Sequence, residues 1–419
     1  MRVLIVTHYF PPEVGAPQAR LSELAAWWVH RGEDVTVLTG MPNHPTGVVP
    51  PEYRRRRLAQ EVQDGYRVVR TWLYATPNEG VLRKTLGHLS FMATSVALGM
   101  RAAGKADVVV VSSPTFFAVF AARFIARARR AALVQEVRDL WPAAMVELGV
   151  LTNPRIVRFL ERLELGNYRA ADAVVVVTEG FRQNLVSRGV PAGKVHTSRN
   201  GADLERFAPR GAADPAAVAM RRRLGAGAGE CLVLYAGAHG ISHALSSVAR
   251  AAEKCAGAPI HFAFVGDGAE KAALEAQVAR SLLGNVTLLP PVPRGEMPDL
   301  LAAADICLAP LRDVPLFATF IPSKLFEYLA AGKAVIGSVR GEAAAILAEA
   351  GAVVVEPEDP AALADAVRAL AADPARRAEM GERGRAYVAE RFDRRRQAEE
   401  YRLLLRRIAG HDEGPGHRR

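Results

Sequence analysis

Short, predominantly apolar runs alternate along the chain with segments in which apolar residues recur at helical spacing. The first cycle is an apolar run at 2–7, a loop containing Gly15, a helical pattern at 21–29 and a second run at 34–38. Predominantly apolar runs of this length are typical of strands covered on both faces, as in a parallel sheet. Strand, glycine-containing loop, helix and strand together predict the opening of a doubly wound α/β domain.

The same cycle restarts in the second half, with an apolar run at 231–235, a glycine loop at 236–242 and a helix. At 419 residues the chain is long enough for two domains of roughly 200 residues each. We therefore predict an α/β protein with two Rossmann-like, doubly wound parallel-sheet domains. Further strands are predicted at 65–74, 107–111, 132–137, 173–177, 260–265, 286–289, 306–310, 334–338 and 352–355.

The domain boundaries follow from composition. Residues 209–215 are rich in Pro and Gly and predict a connection between domains. This places one domain at 1–208 and the second at 209–392, followed by a C-terminal helix at 393–410. The last residues, 411–419, predict a disordered tail.

Composition narrows the class of protein. Half of the residues are hydrophobic and 23% are charged, a globular balance. The three cysteines show no paired metal-ligand spacing, which favours a reducing compartment and argues against a zinc site. The N-terminal apolar run is too short for a signal peptide, and no apolar segment reaches the roughly 20 residues of a membrane span. These features predict a cytoplasmic protein.

The net charge of +10 includes basic runs at 54–57 and 394–396. Such charge suits nucleic acid, anionic lipid or phosphorylated substrates, although an Arg- and Ala-rich coding bias would produce it as well. We expect no nucleic-acid partner, because the sequence contains no basic and aromatic nucleic-acid module. The segment 83–104 begins with two basic residues and continues with apolar ones. It either lies at an anionic membrane surface or packs on the sheet.

A loop that turns into a short helix is predicted at 317–332. Pro322 suits the first helical turn and Gly332 suits the position just past the C-terminus. Lys324 and Glu327 stand three residues apart, on neighbouring helix surface. A helix start with a nearby lysine is a natural seat for a diphosphate, and the glutamate can accept hydrogen bonds from a ribose. A surface ion pair on an ordinary amphipathic helix is the alternative.

The segment Pro-Ser-Lys-Leu-Phe-Glu-Tyr-Leu-Ala-Ala-Gly-Lys-Ala-Val-Ile, starting at Pro322, resembles the donor-binding segment of retaining glycosyltransferases of family 4. These enzymes have the two-domain GT-B fold, in which the domains face a central cleft and the last helix crosses back to the first domain. Many members carry two glutamates separated by seven residues, whereas here Thr319 precedes Glu327. This departure, and the Pro-Asn-x-Pro-x-Gly loop near His44, resemble the branch of O-antigen and colanic-acid type polysaccharide synthesis.

The resemblance implies where a donor would bind in the second domain. Besides Lys324 and Glu327, which we expect to be catalytic, it implies substrate-binding roles for several further positions. Many relatives hold the diphosphate with an Arg and a Lys after the first strand of this domain, and this chain has only histidines there. A structural histidine at 239 remains an alternative. The implied substrate-binding residues are Gly237, His239, Gly266, Asp267, Thr319, Pro322 and Ser323.

In the first domain, the candidates lie at predicted strand ends. Gly15, His44 and Ser113 are expected to face the acceptor or the donor phosphates. Family members often carry His-Asp where this chain has Arg138 and Asp139, which we expect to be catalytic. An arginine stays protonated and cannot be a base. Arg138 would therefore bind a phosphate, or else form a buried pair with Asp139 or with Glu136.

These features predict a retaining transferase that moves a sugar from a nucleotide diphosphate-sugar, expected to be a UDP-linked N-acetylated sugar, to a hydroxyl acceptor. No Asp-x-Asp element is present, so we expect neither a metal nor a cofactor. The resemblance implies a polyprenyl-diphosphate-linked acceptor and a peripheral position on the inner face of the membrane. A soluble small-molecule acceptor, or a GT-B nucleotide-sugar epimerase, remains the alternative.

Overall fold

A computed structural model describes residues 1–13, 15–44, 46–76, 81–113, 115–211 and 213–411. The chain divides into two compact units. Unit 1 is residues 1–198 together with the segment that starts at Arg395, and unit 2 is Arg199–Arg394. The predicted tail at 411–419 lies outside the described residues apart from His411.

Unit 1 is built on an eight-stranded sheet with the order β3-β4-β2-β1-β5-β6-β7-β8. All neighbouring strands are parallel except β3 and β4, which are antiparallel. The strands are β1 Arg2–Val6, β2 Asp34–Gly40, β3 Leu58–Gln63, β4 Tyr66–Thr71, β5 Val108–Ser112, β6 Ala132–Val137, β7 Ala173–Val176 and β8 Val195–Thr197.

Helices cover the faces of this sheet. They are α1 Ala16–His30, α2 Val81–Thr94, α3 Met100–Ala103, α4 Ala118–Arg129, α5 Ala143–Glu147, α6 Pro154–Ala170 and α7 Glu179–Ser187, with a π-helical stretch at Ser95–Gly99 between α2 and α3. The C-terminal helix α16, Arg394–Ile408, also packs in this unit. Its Tyr401 ring meets Trp28 edge-on at 5.4 Å, and the Trp28 indole donates a 3.0 Å hydrogen bond to the Ala398 carbonyl.

Unit 2 contains a six-stranded, fully parallel sheet with the order β11-β10-β9-β12-β13-β14. The strands are β9 Cys231–Ala236, β10 Ile260–Val265, β11 Val286–Leu289, β12 Ile306–Pro310, β13 Ala334–Ser338 and β14 Val353–Val355. The helices are α8 Pro215–Arg223, α9 Leu245–Lys254, α10 Lys271–Arg280, α11 Met297–Ala303, α12 Lys324–Ala330, α13 Gly341–Glu349, α14 Pro360–Ala371 and α15 Pro374–Arg391. The predicted fold class, two doubly wound parallel-sheet α/β domains, is confirmed.

Two strands are missing from the sequence-based prediction, β3 and the three-residue strand β8. β3 has the sequence Leu-Ala-Gln-Glu-Val-Gln and follows the basic run 54–57, so its composition does not indicate a strand. It is an edge strand, paired on one side only with β4, and several of its side chains are exposed. The antiparallel pairing makes the unit 1 sheet mixed rather than purely parallel.

The unit boundary also differs from the prediction. The division falls at Ser198 and Arg199, ten residues before the predicted boundary at 208. The reason is that the segment after Arg199 packs within unit 2. The Ala202 amide donates to the Phe392 carbonyl at 3.0 Å, and the Arg385 guanidinium donates to the Phe207 carbonyl at 3.3 Å.

The segment 83–104 is helical and lies on the unit 1 sheet. Its small residues face inward: a Cβ at Gly99 would crowd the Leu38 side chain and one at Gly87 would lie 3.0 Å from the Tyr74 carbonyl oxygen. The opposite side leaves Leu86 exposed beside Arg83 and Lys84. No helix in the described part of the chain is long and apolar enough to cross a membrane.

Candidate active site

The strand order of unit 2 reverses between β9 and β12, which run side by side. In open parallel sheets, ligands bind outside the carboxyl ends of the strands at such a reversal. β9 ends at Ala236 and continues into Gly237 and His239, while the loop after β12 leads to α12 and Lys324. The predicted donor-side residues of both segments are thus brought to one edge of this sheet.

Two glycine loops pack against each other at this edge. The Gly237 amide donates to the Val265 carbonyl at 2.9 Å, and the His239 amide donates to the Asp267 carbonyl at 2.8 Å. A Cβ at Gly266 would overlap the Gly237 carbonyl oxygen. Gly237 itself has a φ of 139°, which disfavours a side chain. These glycines therefore let the backbones of the two loops approach closely.

The side chain of Lys324 lies next to the loop that contains Gly237. Its Nζ is 3.7 Å from the centroid of the Tyr235 ring, and a Cβ at Gly237 would come within 2.7 Å of it. The Nζ is buried and has no hydrogen-bond partner among the described residues. Burial lowers the pKa of Lys324 to about 7, and the charge of Glu327 opposes that shift without cancelling it. The site therefore contains an amine whose hydrogen-bond donors are unused.

Two histidines surround the same tyrosine. His239 is fully buried, its ring centroid is 5.9 Å from that of Tyr235, and neither ring nitrogen has a partner among the described residues. Burial, helped by the charge of Lys271, lowers its pKa to about 4. His243, 6.0 Å from Tyr235, has a pKa lowered to about 3 by burial and by Lys324. Both imidazoles are neutral at pH 7.

Glu327 is partly buried one turn into α12. Its Oε1 lies 3.8 Å from the Arg394 guanidinium, which donates a 2.6 Å hydrogen bond to the Gly201 carbonyl. The sequence placed Arg394 only in a basic run and did not indicate this contact.

The start of α12 differs from the prediction. The helix begins at Lys324, so Pro322 and Ser323 precede it, and the Pro322 carbonyl accepts a 3.1 Å bond from the Leu325 amide. Ser323 makes no capping hydrogen bond, and the helix starts two residues later than expected. Gly332 has a φ of 66°, consistent with the predicted C-terminal position. The Thr319 hydroxyl donates to the Leu316 carbonyl at 2.7 Å, so its proton is used within its own turn.

In unit 1 the order reverses between β1 and β5, and the predicted residues Ser113, Arg138 and Asp139 follow β5 and β6. The Arg138 amide donates a 2.9 Å hydrogen bond to Ser113 Oγ. Asp139 is half-buried, and burial of its carboxyl raises the pKa against the opposing charge of Arg138. It lines a small cavity together with Ser113, Phe116, Val119, Gln135, Trp141, Glu164, Asn167 and Tyr168.

Glu136, on β6, takes a different partner from the one considered above. Its Oε1 pairs with Arg20 Nε at 3.0 Å, and its Oε2 accepts a 2.9 Å bond from the Ser112 hydroxyl. Burial works to raise its pKa, but the charges of Arg20 and Arg138 together hold the pKa below the usual value. Arg20, on α1, therefore supplies the ion pair, and Arg138 acts on Glu136 through its charge.

A cluster of aromatic rings lies after β1 and β2. The His8 ring is 4.3 Å from His88 and 4.4 Å from Tyr9, and Tyr9 is 5.2 Å from His44. Burial lowers the pKa of all three imidazoles, that of His88 to about 4. His8 Nδ1 and His44 Nδ1 are buried with no partner among the described residues. The predicted acceptor residue His44 therefore belongs to an uncharged, ring-lined surface.

Glu13 fixes the loop that carries His44. One carboxylate oxygen accepts 2.8 Å bonds from the amides of Asn43 and His44, and the other accepts from the Phe10 amide at 3.0 Å. Burial raises its pKa, opposed by these three bonds. Glu13 is a positioning residue that ties the loop after β1 to the loop after β2.

Gly15 precedes α1, and its carbonyl accepts a 3.0 Å bond from the Ala19 amide. Its φ of 169° is extended backbone, so no left-handed conformation requires glycine there. A side chain would instead strike the Gln18 amide group.

Sequence reasoning missed His8, Glu13, His88, Tyr235 and Arg394. His8 directly follows the first strand, and a polar residue at a strand end was the available signal. The others are brought to their sites by long-range packing. Within the described part of the chain, no three His, Cys, Asp or Glu side chains are grouped so as to hold a metal ion.

Models of known protein families match a segment in each half of the chain. Residues 15–201 match the glycosyl transferase 4-like domain, and residues 231–373 match the glycosyl transferases group 1 domain. The chain belongs to the glycosyltransferases of the family 4 type, with the GT-B fold.

Individual relatives agree with this class. The chain is 27% identical over 377 residues to the putative colanic acid biosynthesis glycosyl transferase WcaI of Escherichia coli K12, covering 88% of this chain and 91% of the relative. Sucrose-phosphate synthase of Thermosynechococcus elongatus is similar in fold, with a TM-score of 0.75 at 19% identity and coverage of 98% and 100%. HepE of Anabaena, solved in complex with UDP-glucose, gives a TM-score of 0.71 at 17% identity, covering 97% of this chain and 99% of that one.

Proposed function

We propose that this glycosyltransferase moves a sugar from a UDP-sugar, expected to be N-acetylated, to a hydroxyl of a polyprenyl-diphosphate-linked acceptor in cell-surface polysaccharide synthesis. The transfer retains the anomeric configuration and uses no metal. The donor diphosphate binds at the carboxyl edge of the unit 2 sheet, and the acceptor binds to unit 1. The WcaI relative, named for colanic acid synthesis, supports the polysaccharide role, and the UDP-glucose complex of HepE supports a UDP-linked donor.

The observation that carries this proposal is Lys324. A buried amine with three unused donors is costly unless a ligand satisfies it. It lies at the sheet edge where ligands bind in parallel α/β domains, next to the glycine loop after β9. A diphosphate supplies the missing acceptors and the compensating charge.

The chemistry needs charge stabilisation more than a protein base. Breaking the bond between the anomeric carbon and the diphosphate oxygen leaves the electron pair on the diphosphate. The acceptor hydroxyl attacks the anomeric carbon from the same face, and its proton passes to the departing phosphate oxygen. Lys324 stabilises the developing negative charge, a type of interaction that commonly supplies the largest part of catalysis.

The remaining residues position the substrates. Glu327 accepts hydrogen bonds from the donor ribose. The Arg394 guanidinium, 3.8 Å from Glu327 Oε1, holds this carboxylate in place. Gly237, His239, Gly266, Asp267, Thr319, Pro322 and Ser323 shape the donor seat. In unit 1, Arg138 binds a phosphate, Asp139 orients that loop, and Gly15, His44 and Ser113 face the acceptor.

A membrane-linked acceptor is supported by the surface of α2 and α4. The exposed Leu86 and Phe124 stand among basic residues on helices that pack together. Between positions 81 and 135 the sequence has one acidic residue, Asp107, against eight basic ones: Arg83, Lys84, Arg101, Lys105, Arg123, Arg127, Arg129 and Arg130. Such a surface suits an anionic leaflet. A soluble acceptor remains the alternative within the class, whereas neither matched family supports an epimerase.

The test is thermal stabilisation of the purified protein by a panel of nucleotides, first with a metal chelator and then with Mg²⁺ or Mn²⁺. A ligand that binds only the folded protein at one hundred times its dissociation constant stabilises by about 2.7 kcal/mol. We expect UDP to raise the melting temperature equally with and without metal. Lys324→Met should lose this shift, and Lys254→Met, a change on the exposed end of α9, should keep it.

Other outcomes would redirect or overturn the proposal. A shift with a different nucleoside diphosphate keeps the class and changes the donor. A shift that requires a divalent cation contradicts metal independence. The absence of a shift with any nucleoside diphosphate contradicts the donor site.

A further inference from the structure

Three side chains with nitrogen groups, Lys324, His239 and His243, lie together at the proposed donor site of unit 2. His239 and His243 lie in the segment after β9, and Lys324 begins α12. All three surround the Tyr235 ring, at centroid distances of 3.7, 5.9 and 6.0 Å for the lysine and the two histidines. The buried nitrogens of Lys324 and His239 have no hydrogen-bond partner among the described residues.

We propose that the diphosphate is captured at this site together with a proton: Lys324, backed by His239 and His243, is only partly charged in the empty site at and above neutral pH and becomes fully charged when the diphosphate binds. This inference rests on the proposed donor site. It adds His243 to the residues of that site, and it adds proton uptake to the binding of the diphosphate. Diphosphate affinity is then coupled to pH through the protein.

The enclosure of Lys324 explains why it does not hold its charge alone. The tyrosine ring covers one side and the Gly237 backbone closes another, so few water molecules can solvate an ammonium there. The face of the ring itself attracts an ammonium and offsets part of this lost solvation. Burial accordingly lowers the pKa of Lys324 to about 7 and those of His239 and His243 to about 4 and 3. Placing a dianionic diphosphate against these nitrogens reverses the balance, because an opposite charge favours the protonated form.

The neighbouring charges determine the size of this coupling. On α12, Glu327 favours the charged lysine but lies near Arg394. From the loop after β10, Asp267 favours protonation of His239 and Lys271 opposes it. Lys324 and the histidines repel one another when charged. The neighbours named here therefore include one carboxylate acting on Lys324, one acting on His239, and at least as many positive charges.

The number of protons taken up follows from the pKa of Lys324. With a pKa of about 7, about 90% of the lysine is neutral at pH 8.0 and about 10% at pH 6.0. If binding restores full charge, uptake by Lys324 is about 0.9 proton at pH 8.0 and about 0.1 at pH 6.0. UDP affinity should then fall by up to about tenfold for each pH unit above 7.

The experiment is isothermal titration calorimetry of the full-length protein with UDP at pH 8.0, in HEPES, Tricine and Tris buffers. The slope of the observed enthalpy against the ionisation enthalpy of the buffer counts the protons exchanged on binding. The terminal phosphate of UDP, with a pKa of about 6, has already lost its proton at pH 8.0. The protons counted therefore belong to the protein.

Lys324→Arg tests the assignment, because arginine remains charged when buried. We expect this variant to bind UDP with uptake near zero, and the matched change Lys254→Arg on an exposed helix end to keep the wild-type value. His239→Gln should keep the proton uptake that Lys324 contributes. Wild-type uptake above one proton would show that an imidazole also becomes charged on binding. The dependence of wild-type affinity on pH needs no variant and covers the case in which Lys324→Arg fails to fold.

The outcomes separate this inference from the proposed function. UDP binding without proton uptake, with constant affinity from pH 7 to 9, overturns the inference and leaves the donor site intact. Unchanged uptake in Lys324→Arg also contradicts it. A protein that binds no nucleoside diphosphate contradicts the donor site itself.

Discussion

Each of the two sheets has a reversal of strand order at its carboxyl edge, but charged side chains buried at the two edges differ in whether they have partners. In unit 2, Lys324 is enclosed with no hydrogen-bond partner among the described residues. In unit 1, Glu136 and Glu13 are also buried, but each is satisfied, the first by Arg20 and Ser112 and the second by three backbone amides. A satisfied charge holds loops in place, whereas an unsatisfied one indicates a missing ligand.

The two edges also differ in what they can attract. The unit 2 edge carries amine and imidazole nitrogens that an anion would satisfy. The rings of His8, His44 and His88 in unit 1 are uncharged at neutral pH because burial lowers their pKa. Such rings suit hydroxyl groups and apolar ring faces, as expected for a glycosyl acceptor.

The largest effect should come from breaking the satisfied pair in unit 1. Arg20→Met leaves Glu136 buried without its ion-pair partner, which typically costs about 3–5 kcal/mol. We expect urea unfolding to show a loss of that order. The double variant Arg20→Met, Glu136→Gln should recover part of it. Arg340→Met, at an exposed ion pair of unit 2, should cost at most about 1 kcal/mol. Equal losses at the two sites would show that burial of Glu136 does not matter.

Anion binding should depend on unit 2 alone. Lys324→Met removes a charged hydrogen bond worth about 1.5–3 kcal/mol, so the UDP dissociation constant should rise by roughly 10- to 150-fold. Arg138→Met, in unit 1, should change it by less than about threefold while lowering the rate of transfer. Calorimetry at pH 7.0 measures both constants. A large rise for Arg138→Met would place the donor phosphates on Arg138 instead.

The uncharged histidines of unit 1 predict a stability that falls in acid. The folded-state pKa of His88, about 4, is below the ordinary value of 6.5, so the unfolded chain binds more protons between these values. Stability from His88 is therefore complete above pH 6.5 and lost as the pH falls towards 4. From pH 7 to pH 5 the loss is about 2 kcal/mol. Denaturant unfolding across this range should show it, and His88→Gln should flatten the curve.

The smallest change is expected at Glu13. In Glu13→Gln an amide nitrogen replaces one acceptor oxygen, so at least one of the backbone donors at Phe10, Asn43 and His44 loses its partner. A cost of about 1–2 kcal/mol is expected, with faster amide exchange at Asn43 and His44. Glu52→Gln, at an exposed carboxylate in the segment Pro51–Tyr53, is the control. If amide exchange at Asn43 and His44 stays as slow in Glu13→Gln as in the wild type, other contacts hold the loop.

Local pattern was sufficient for most of the fold. Strands such as Ala132–Val137, Ile260–Val265 and Ile306–Pro310 coincide with their predicted bounds, because short, predominantly apolar runs are typical of the covered strands of a parallel sheet. β3 was missed because a half-exposed edge strand has no such run. The start of α12 was placed early because Pro322 fits a first helical turn by itself, and only the observed backbone shows that it precedes the helix.

By itself, the sequence determined the two doubly wound domains, the family and the segment carrying Lys324 and Glu327, since these depend on local apolar pattern and on contiguous motifs. Tertiary structure alone decided which groups surround them. It placed Tyr235 against Lys324, Arg394 near Glu327, Arg20 on Glu136 and Glu13 beneath the His44 loop. The physical reason is that contacts between residues far apart in the chain determine how deeply a side chain is buried and which hydrogen-bond or ion-pair partners it has. Burial and partners in turn set its pKa and leave its donors used or unused.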